Sequence, residues 1–235
     1  MFDHVKDWLN RTFTETERHH ALESLPPPKA PEGQALSECR LVVLDCEMTG
    51  LNPSKDQVIA VGAVAISNFE IPLRDQFDLV LRRPEADISK TVLIHGIGPE
   101  ALSKGHETEE ALLYLLNWIN GDPILAFHSD LDQSFLEKTL RQTLGYTESH
   151  LWLDVAELLP AMFPNAQPRA GRLDNWVDHF ALELTERHHA AADALATAEL
   201  TLMALNRATK TGITSLDQIC EKLRHYRRLK RLHRQ

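Results

Sequence analysis

From position 40 onward the chain alternates between β-rich apolar runs and stretches of helical periodicity. Leu41 to Cys46 and Val58 to Ile66 are apolar and rich in β-branched residues, and Phe77 to Leu81 alternates apolar with polar. This pattern predicts three strands of one sheet. Glu109 to Asn120 has the spacing of a helix ended by Gly121, Pro123 to Phe127 predicts a fourth strand, and Asp132 to Leu144 predicts a helix closing at Gly145. A short fifth strand is expected at Leu151 to Leu153. Helices are expected over Val155 to Met162, Leu173 to Phe180 and the alanine-rich stretch Ala190 to Leu205. Strands and helices in alternation place the chain in the α/β class.

The flanks have a different texture. Phe2, Val5, Leu9 and Phe13 fall at helical spacing, followed by Leu25 to Gly33 (LPPPKAPEG), which cannot continue a helix because proline lacks an N–H donor. The expectation is a short amphipathic helix on a stiff linker. At the other end Ser215 to Gln218 fits a capping box, and Leu216, Ile219, Leu223, Tyr226, Leu229 and Leu232 mark one apolar stripe of a terminal helix. The chain thus divides into an N-terminal segment 1–38, a central domain 39–210 and a C-terminal helix 211–235.

At 235 residues with 43% apolar content, the chain can bury a sizeable core, which excludes a disordered protein. Its longest apolar run is too short to span a bilayer, and residues 1–20 carry charges throughout, so a cytoplasmic protein is expected. Three cysteines, Cys39, Cys46 and Cys220, form no CxxC or Cys/His zinc spacing and read as buried thiols. The net charge of −9 argues against a polyanionic partner until its distribution is considered. Residues 221–235 hold seven Lys/Arg against one acid, leaving 18 basic and 33 acidic residues elsewhere, net −15. An acidic body fits a solvated surface or a carboxylate-rich site neutralised by divalent cations.

Three clusters carry candidate chemistry. In Leu41 to Leu51 (LVVLDCEMTGL) an apolar strand delivers Asp45 and Glu47 at its C-terminal end, two apart and therefore on one face. Paired hard oxygen ligands suit Mg²⁺ or Mn²⁺, although a DxE can also be a polar strand end. In Ala126 to Leu136 (AFHSDLDQSFL), Asp130 and Asp132 stand where a strand gives way to a helix, which is also the position of an ordinary N-cap. In Arg187 to Ala194 (RHHAAADA), His188 and Asp193 are five apart. Both can face one site only if His188 sits in the loop before the helix and Asp193 in its early turns.

Asp45, Glu47, Asp132, His188 and Asp193 occur in the order and context of a known constellation. The chain from about Leu41 to Leu205 resembles the DEDDh exonucleases, the group containing the epsilon proofreading subunit of DNA polymerase III, ribonuclease T and oligoribonuclease. Leu44 to Leu51 (LDCEMTGL) resembles the first motif, Leu131 to Leu136 (LDQSFL) the second, and His188 to Asp193 (HHAAAD) the third, HxAxxD, whose spacing selects His188 over His189. Asp154 and His95-Gly96-Ile97 resemble secondary signatures. Ser129 stands where the family usually has Asn, and Leu131 where it usually has an aromatic, which leaves Asp130 as an alternative ligand to Asp132.

The resemblance implies an RNase H-like fold: a mixed five-stranded sheet flanked by helices, with the carboxylates meeting beside the first strand. It implies two divalent cations, Mg²⁺ or Mn²⁺, about 4 Å apart, for in-line hydrolysis of a phosphodiester at a 3′ end. Asp45 would bridge both, Glu47 and Asp193 would complete one site and Asp132 would serve the other. His188 would take the proton from the attacking water. Met48, Thr49, Gly50 and Leu51, with His95 and His128, would contact single-stranded nucleic acid, and the product would be a nucleoside monophosphate. DCEMTG is closer to RNA-acting members, while HGI and FHSDLDQSFL are closer to the epsilon branch, so DNA is favoured. RNA trimming is the alternative. A regulatory subunit whose terminal helices dock a protein partner is a further reading, compatible with catalysis.

Overall fold

Five strands form a single sheet in the order β3-β2-β1-β4-β5. They are β1 (Arg40–Met48), β2 (Val58–Ser67), β3 (Gln76–Val80), β4 (Ile124–Ala126) and β5 (Trp152–Asp154) in a computed structural model that describes residues 14–166, 168, 171–183 and 187–232. β1 pairs antiparallel with β2 and β2 with β3, whereas β1–β4 and β4–β5 are parallel, so the sheet is mixed as expected. The helices are α1 (Glu15–Glu23), α2 (Val92–His95), α3 (Pro99–Lys104), α4 (Thr108–Ile119), α5 (Asp130–Leu144), α6 (Val155–Met162), α7 (Leu173–His179), α8 (Ala190–Lys210) and α9 (Leu216–Leu232). None of these is long and apolar enough to cross a membrane.

The period of two along β1 distributes its side chains between two cores. Leu41 and Val43 join Val64 and Ile66 of β2 under α6, α7, α8 and the first half of α9, while Val42 and Leu44 join Phe77 under α4 and α5. Every strand expected from the pattern is present, with ends displaced by one or two residues. α5 begins at Asp130 rather than Asp132 because Ser129 takes the N-cap position, and neither Asp acts as the cap. The helix expected over residues 2–13 lies outside the described residues. α1 was not anticipated, though its signal is plain afterwards: Thr14 Oγ1 accepts from Glu17 N at 3.3 Å and Glu17 Oε2 accepts from Thr14 N at 2.9 Å.

The segment before β1 lies against the body. Lys29 N donates to Gly121 O at 2.8 Å, and Gly121, at φ 71°, lies so close that a Cβ there would stand 2.4 Å from Pro27 O. Gln34 O accepts from Leu216 N at 3.0 Å, which joins this segment to the start of α9. At the entrance to β1, Arg40 ties three segments together. Its guanidinium donates side-on to Asp75 through Nε and Nη2, each at 3.0 Å, reaches Asp122 through Nη1 at 2.8 Å, and covers the Trp118 ring at 4.6 Å. Asp122 is buried and also pairs with Lys29.

Removing the buried Asp122 carboxylate leaves Arg40 and Lys29 short of their counter-charge. Because both cations keep partial access to water, Asp122→Ala is expected to cost about 2–3 kcal/mol, below the range for a fully buried pair. Urea unfolding monitored by circular dichroism should show a lower midpoint at an unchanged slope. The more exposed Asp75→Ala should cost less.

Candidate active site

β1 ends where its neighbours change. Asp45 and Glu47 continue the Leu41–Val43 face, which is apolar until this point, and so emerge under the first turn of α8. The register slips between Glu47 and Met48, where β2 carries one extra residue, a bulge that twists the strand end beside the carboxylates. Val42 N donates to Pro123 O at 2.9 Å, but β4 stops at Ala126, so a β1 amide further along has no strand to bond. Asp132 fills that gap: its Oδ1 accepts from Cys46 N at 2.9 Å, which holds the buried carboxylate against β1.

The third segment arrives through a close approach. Gly62 of β2 lies opposite Asp45 in the ladder, and a Cβ at Gly62 would stand 2.1 Å from Ala191 N and 2.2 Å from Ala190 C. Only glycine lets the N-terminus of α8 lie this deep on the sheet. His188 precedes the helix in the left-handed region (φ 60°), and its N–H donates to Asp193 Oδ2 at 3.1 Å. Asp193 occupies the first turn, as the five-residue spacing requires.

Asp45, Glu47 and Asp193 each bring a carboxylate oxygen within 4.8 Å of the others. Asp132 falls outside that grouping but is close enough to raise the pKa of both Asp45 and Glu47. Burial, then the neighbouring acids, pushes Asp45 well above the usual carboxylate range. The same two causes raise Glu47 to about 8. Asp132 is raised to about 7 by burial, against the lowering effect of the Cys46 amide. Arg187 opposes the trend: its guanidinium pairs with both Asp193 and Asp174 and stabilises the charged forms of Asp45 and Glu47. Such a set cannot all be ionised without added positive charge, and its hard oxygens fit Mg²⁺ or Mn²⁺.

The remaining candidates surround this centre. His95 is buried, its Nδ1 accepts from Ile97 N at 3.0 Å, and its Nε2 has no hydrogen-bond partner among the described residues. Burial and then the nearby His188 lower its pKa. His189 sits near Asp78 of β3, whereas His188 sits near His95. His128 is exposed at φ 62°, and its N–H donates to Asp154 Oδ1 at 3.0 Å. Asp130 is exposed, in contrast to Asp132. Met48 and Thr49 are buried and Leu51 is 77% exposed. The Thr49 hydroxyl accepts from Gln57 N at 3.1 Å and donates to Asp56 Oδ1 at 3.3 Å, and Gly50 lies against the Asp56 carboxylate. Asp56, Arg187 and Gly62 escaped the sequence reading. Only Gly62 left a signal, as a lone glycine inside a β-branched run.

Comparison with known proteins shows the family to which the chain belongs and the fold it shares. The RNase_T family model, described as an exonuclease, matches residues 42–201. The chain is 31% identical over 189 residues to a PolC-type DNA polymerase III of Caldanaerobacter subterraneus, a match covering 80% of this chain and 13% of that protein. It is 30% identical over 206 residues to the PolC-type enzyme of Thermotoga maritima, covering 86% of this chain and 15% of that one. It therefore spans only about a seventh of these relatives. Among solved structures, E. coli exonuclease I with a dA16 oligonucleotide superposes at a TM-score of 0.62, with 16% identity over 74% of this chain and 42% of that one. The zinc-bound complex of the same enzyme with single-stranded DNA gives 0.61, with 19% identity over 72% and 41%. At these identities the likeness concerns the fold.

Two outcomes follow from the crowding of carboxylates. Asp45→Asn removes one of the repelling charges, so in EDTA near pH 7.5 it should melt at a higher temperature than wild type, while losing most of the stabilisation that Mn²⁺ gives wild type. For a ligand at 100 times its dissociation constant that stabilisation is about 2.7 kcal/mol. Gly62→Ala should lift the first turn of α8 and weaken Mn²⁺ binding about tenfold or more, since ligand geometry must hold within about 0.5 Å. Thermal melting followed by circular dichroism checks the first, titration of Mn²⁺ followed by electron paramagnetic resonance the second, and wild-type affinity in Gly62→Ala would rule out the positioning role.

Proposed function

Since the chain belongs to the exonuclease family represented by RNase_T, we propose that it is a metal-dependent 3′–5′ exonuclease acting on the 3′ ends of single-stranded or frayed nucleic acid, with DNA favoured. The observation that carries this reading is the convergence of Asp45, Glu47 and Asp193 within 4.8 Å, with Asp132 held beside them. A chain that used the fold only for binding would have no need to confine four mutually repelling acids.

Asp45, Glu47 and Asp193 would hold one divalent cation and Asp132, with Asp45, a second. When bound, such cations supply Lewis-acid stabilisation of charge on the attacking and leaving oxygens. His188 would take the proton of the water whose oxygen attacks phosphorus as the bond to the 3′ oxygen breaks, releasing a nucleoside monophosphate. Its backbone N–H on Asp193 fixes the loop from which the imidazole acts. His95, whose Nδ1 already accepts a hydrogen bond, would carry its proton on Nε2, a buried atom that would donate to the terminal nucleotide once substrate binding uncovers it. Met48, Thr49, Gly50 and the exposed Leu51 would support the last sugar and base, and His128 would meet the strand at the opposite lip.

The preference for DNA is supported by what the similar proteins act on or bind: polymerases of DNA in sequence and a single-strand complex in fold. The expected setting is the cytoplasm. RNA trimming is the competing reading, favoured by the DCEMTG segment.

The deciding assay incubates 5′-labelled single-stranded DNA and RNA of equal sequence with the protein in Mg²⁺, Mn²⁺ or EDTA. Products shortened from the 3′ end, DNA before RNA, and no hydrolysis in EDTA are expected. Asp45→Ala should remove essentially all activity, His188→Ala should cost about 10²- to 10⁴-fold, and His189→Ala should cost little. Near wild-type turnover by purified Asp45→Ala protein would refute the assignment.

A further inference from the structure

α9 lies beyond the residues matched by the family model and divides into two functional halves. Leu216, Ile219 and Leu223 are buried in the core shared with α6 and α8, with Tyr226 packed at its edge. This half is anchored. Further along, Leu229 and Leu232 are exposed, and the helix is held to the body by Arg227 paired with Glu157 and by Lys230 Nζ at 3.6 Å from Glu157 Oε1.

At 100° per residue, Arg224, Arg227, Arg228 and Arg231 fall within one stripe about 100° wide, spanning two turns along the edge of the anchored face. Arg224, Arg228 and Arg231 are exposed and make no ion pair among the described residues. Their position relative to the carboxylates follows from the sheet. β1, β4 and β5 are parallel, so Asp45 and Glu47 on β1 and Asp154 on β5 lie at the same edge, two strand spacings apart, or about 10 Å. A cleft of about 340 Å³ opens there, with Asp130, Asp154 and Glu157 on the body side and Arg227, Lys230 and Arg231 on the helix side. His128, two residues past the end of β4, donates its backbone N–H to the same Asp154.

We propose that the arginine stripe of α9 is the track for a single-stranded nucleic acid, binding phosphates upstream of the 3′ end held at the carboxylates. This rests on the exonuclease reading. Charge and placement support the track. A body of net −15 repels a polyanion everywhere except where cations have been set out, and residues 221–235 are the densest run of Lys and Arg in the chain. Up to Leu232 that run is not spread in solution but held on a helix that leads to the cleft at Asp154: Arg224 and Arg228 line a neighbouring hollow with Gln218 and Lys222, Arg231 lines the cleft itself, and none of the three guanidinium groups is ion-paired among the described residues. Contacts of this kind carry no sequence information, which suits an enzyme that must accept any strand.

The test compares wild type with the triple variant R224Q/R228Q/R231Q, which keeps Arg227 and Lys230 on Glu157 so that the helix stays anchored, as checked by an unchanged melting temperature. Affinity for fluorescent dT20 is measured in Ca²⁺ across 50–200 mM salt, about 0.7 being lost from the log–log slope per phosphate contact removed. The variant should show a slope smaller by about 2, and in Mn²⁺ its ratio of kcat/KM for dT20 over a thymidine dinucleotide should fall about tenfold or more. An unchanged slope and ratio would overturn the proposal and leave the helix to a protein partner, as would wild-type protein that does not bind dT20. If wild type binds dT20 with the expected slope yet hydrolyses neither substrate, the exonuclease reading fails while the track stands.

Discussion

Four carboxylates are held together at one end of β1 against their own repulsion, and much of the surrounding architecture consists of the means of holding them. Asp45 and Glu47 need no further contact to bring them together, because a strand puts alternate residues on one face. Asp132 and Asp193 must be brought in, and each is secured by a backbone amide: Cys46 N–H for one, His188 N–H for the other. Both amides are left over from secondary structure, the first because β4 is only three residues long and the second because His188 stands outside α8. Short strands and a left-handed residue, which would weaken an ordinary sheet, here supply the donors the site requires. Arg187 adds a resident positive charge, so the cluster is tolerable, though far from neutral, before any cation binds.

This arrangement explains which parts were legible in the sequence. Strand faces are periodic, so the β1 carboxylates and the sheet itself could be read directly. The third motif could be read as a geometric condition, a loop residue before a helix, and the structure meets it at φ 60°. The start of α5 lies two residues earlier than expected because Ser129 takes the cap position without a side-chain hydrogen bond, and neither Asp130 nor Asp132 marks the boundary. Long-range partners had no local signature. Arg187 is one basic residue among many until Asp174 and Asp193 fold around it, and Asp56 looks like any loop acid until Thr49, Gly50 and Asn52 wrap it. The short helix carrying His95 was too brief to leave a period.

Gly62 shows how one missing methyl group connects two levels of the structure. Its register partner is Asp45, so the one place where α8 can sink onto the sheet is the place where a ligand from α8 is needed. The depth of the helix and the closeness of the ligands are the same variable.

The way both flanks are packed has a practical meaning for handling this protein. The family model matches residues 42–201, but the physical unit is larger. A fragment cut at those bounds would discard Arg40 with its ties to Asp75 and Asp122, as well as Leu36 and Cys39. At the other end it would discard Ala204, Leu205, Ala208, Leu216, Ile219 and Leu223 from the core under α6 to α8. The exposed underside would be greasy and the first strand unmoored, so a recombinant fragment trimmed to the family match is a candidate for inclusion bodies rather than a minimal enzyme. The shortest fragment worth expressing runs from the proline segment to the third turn of α9.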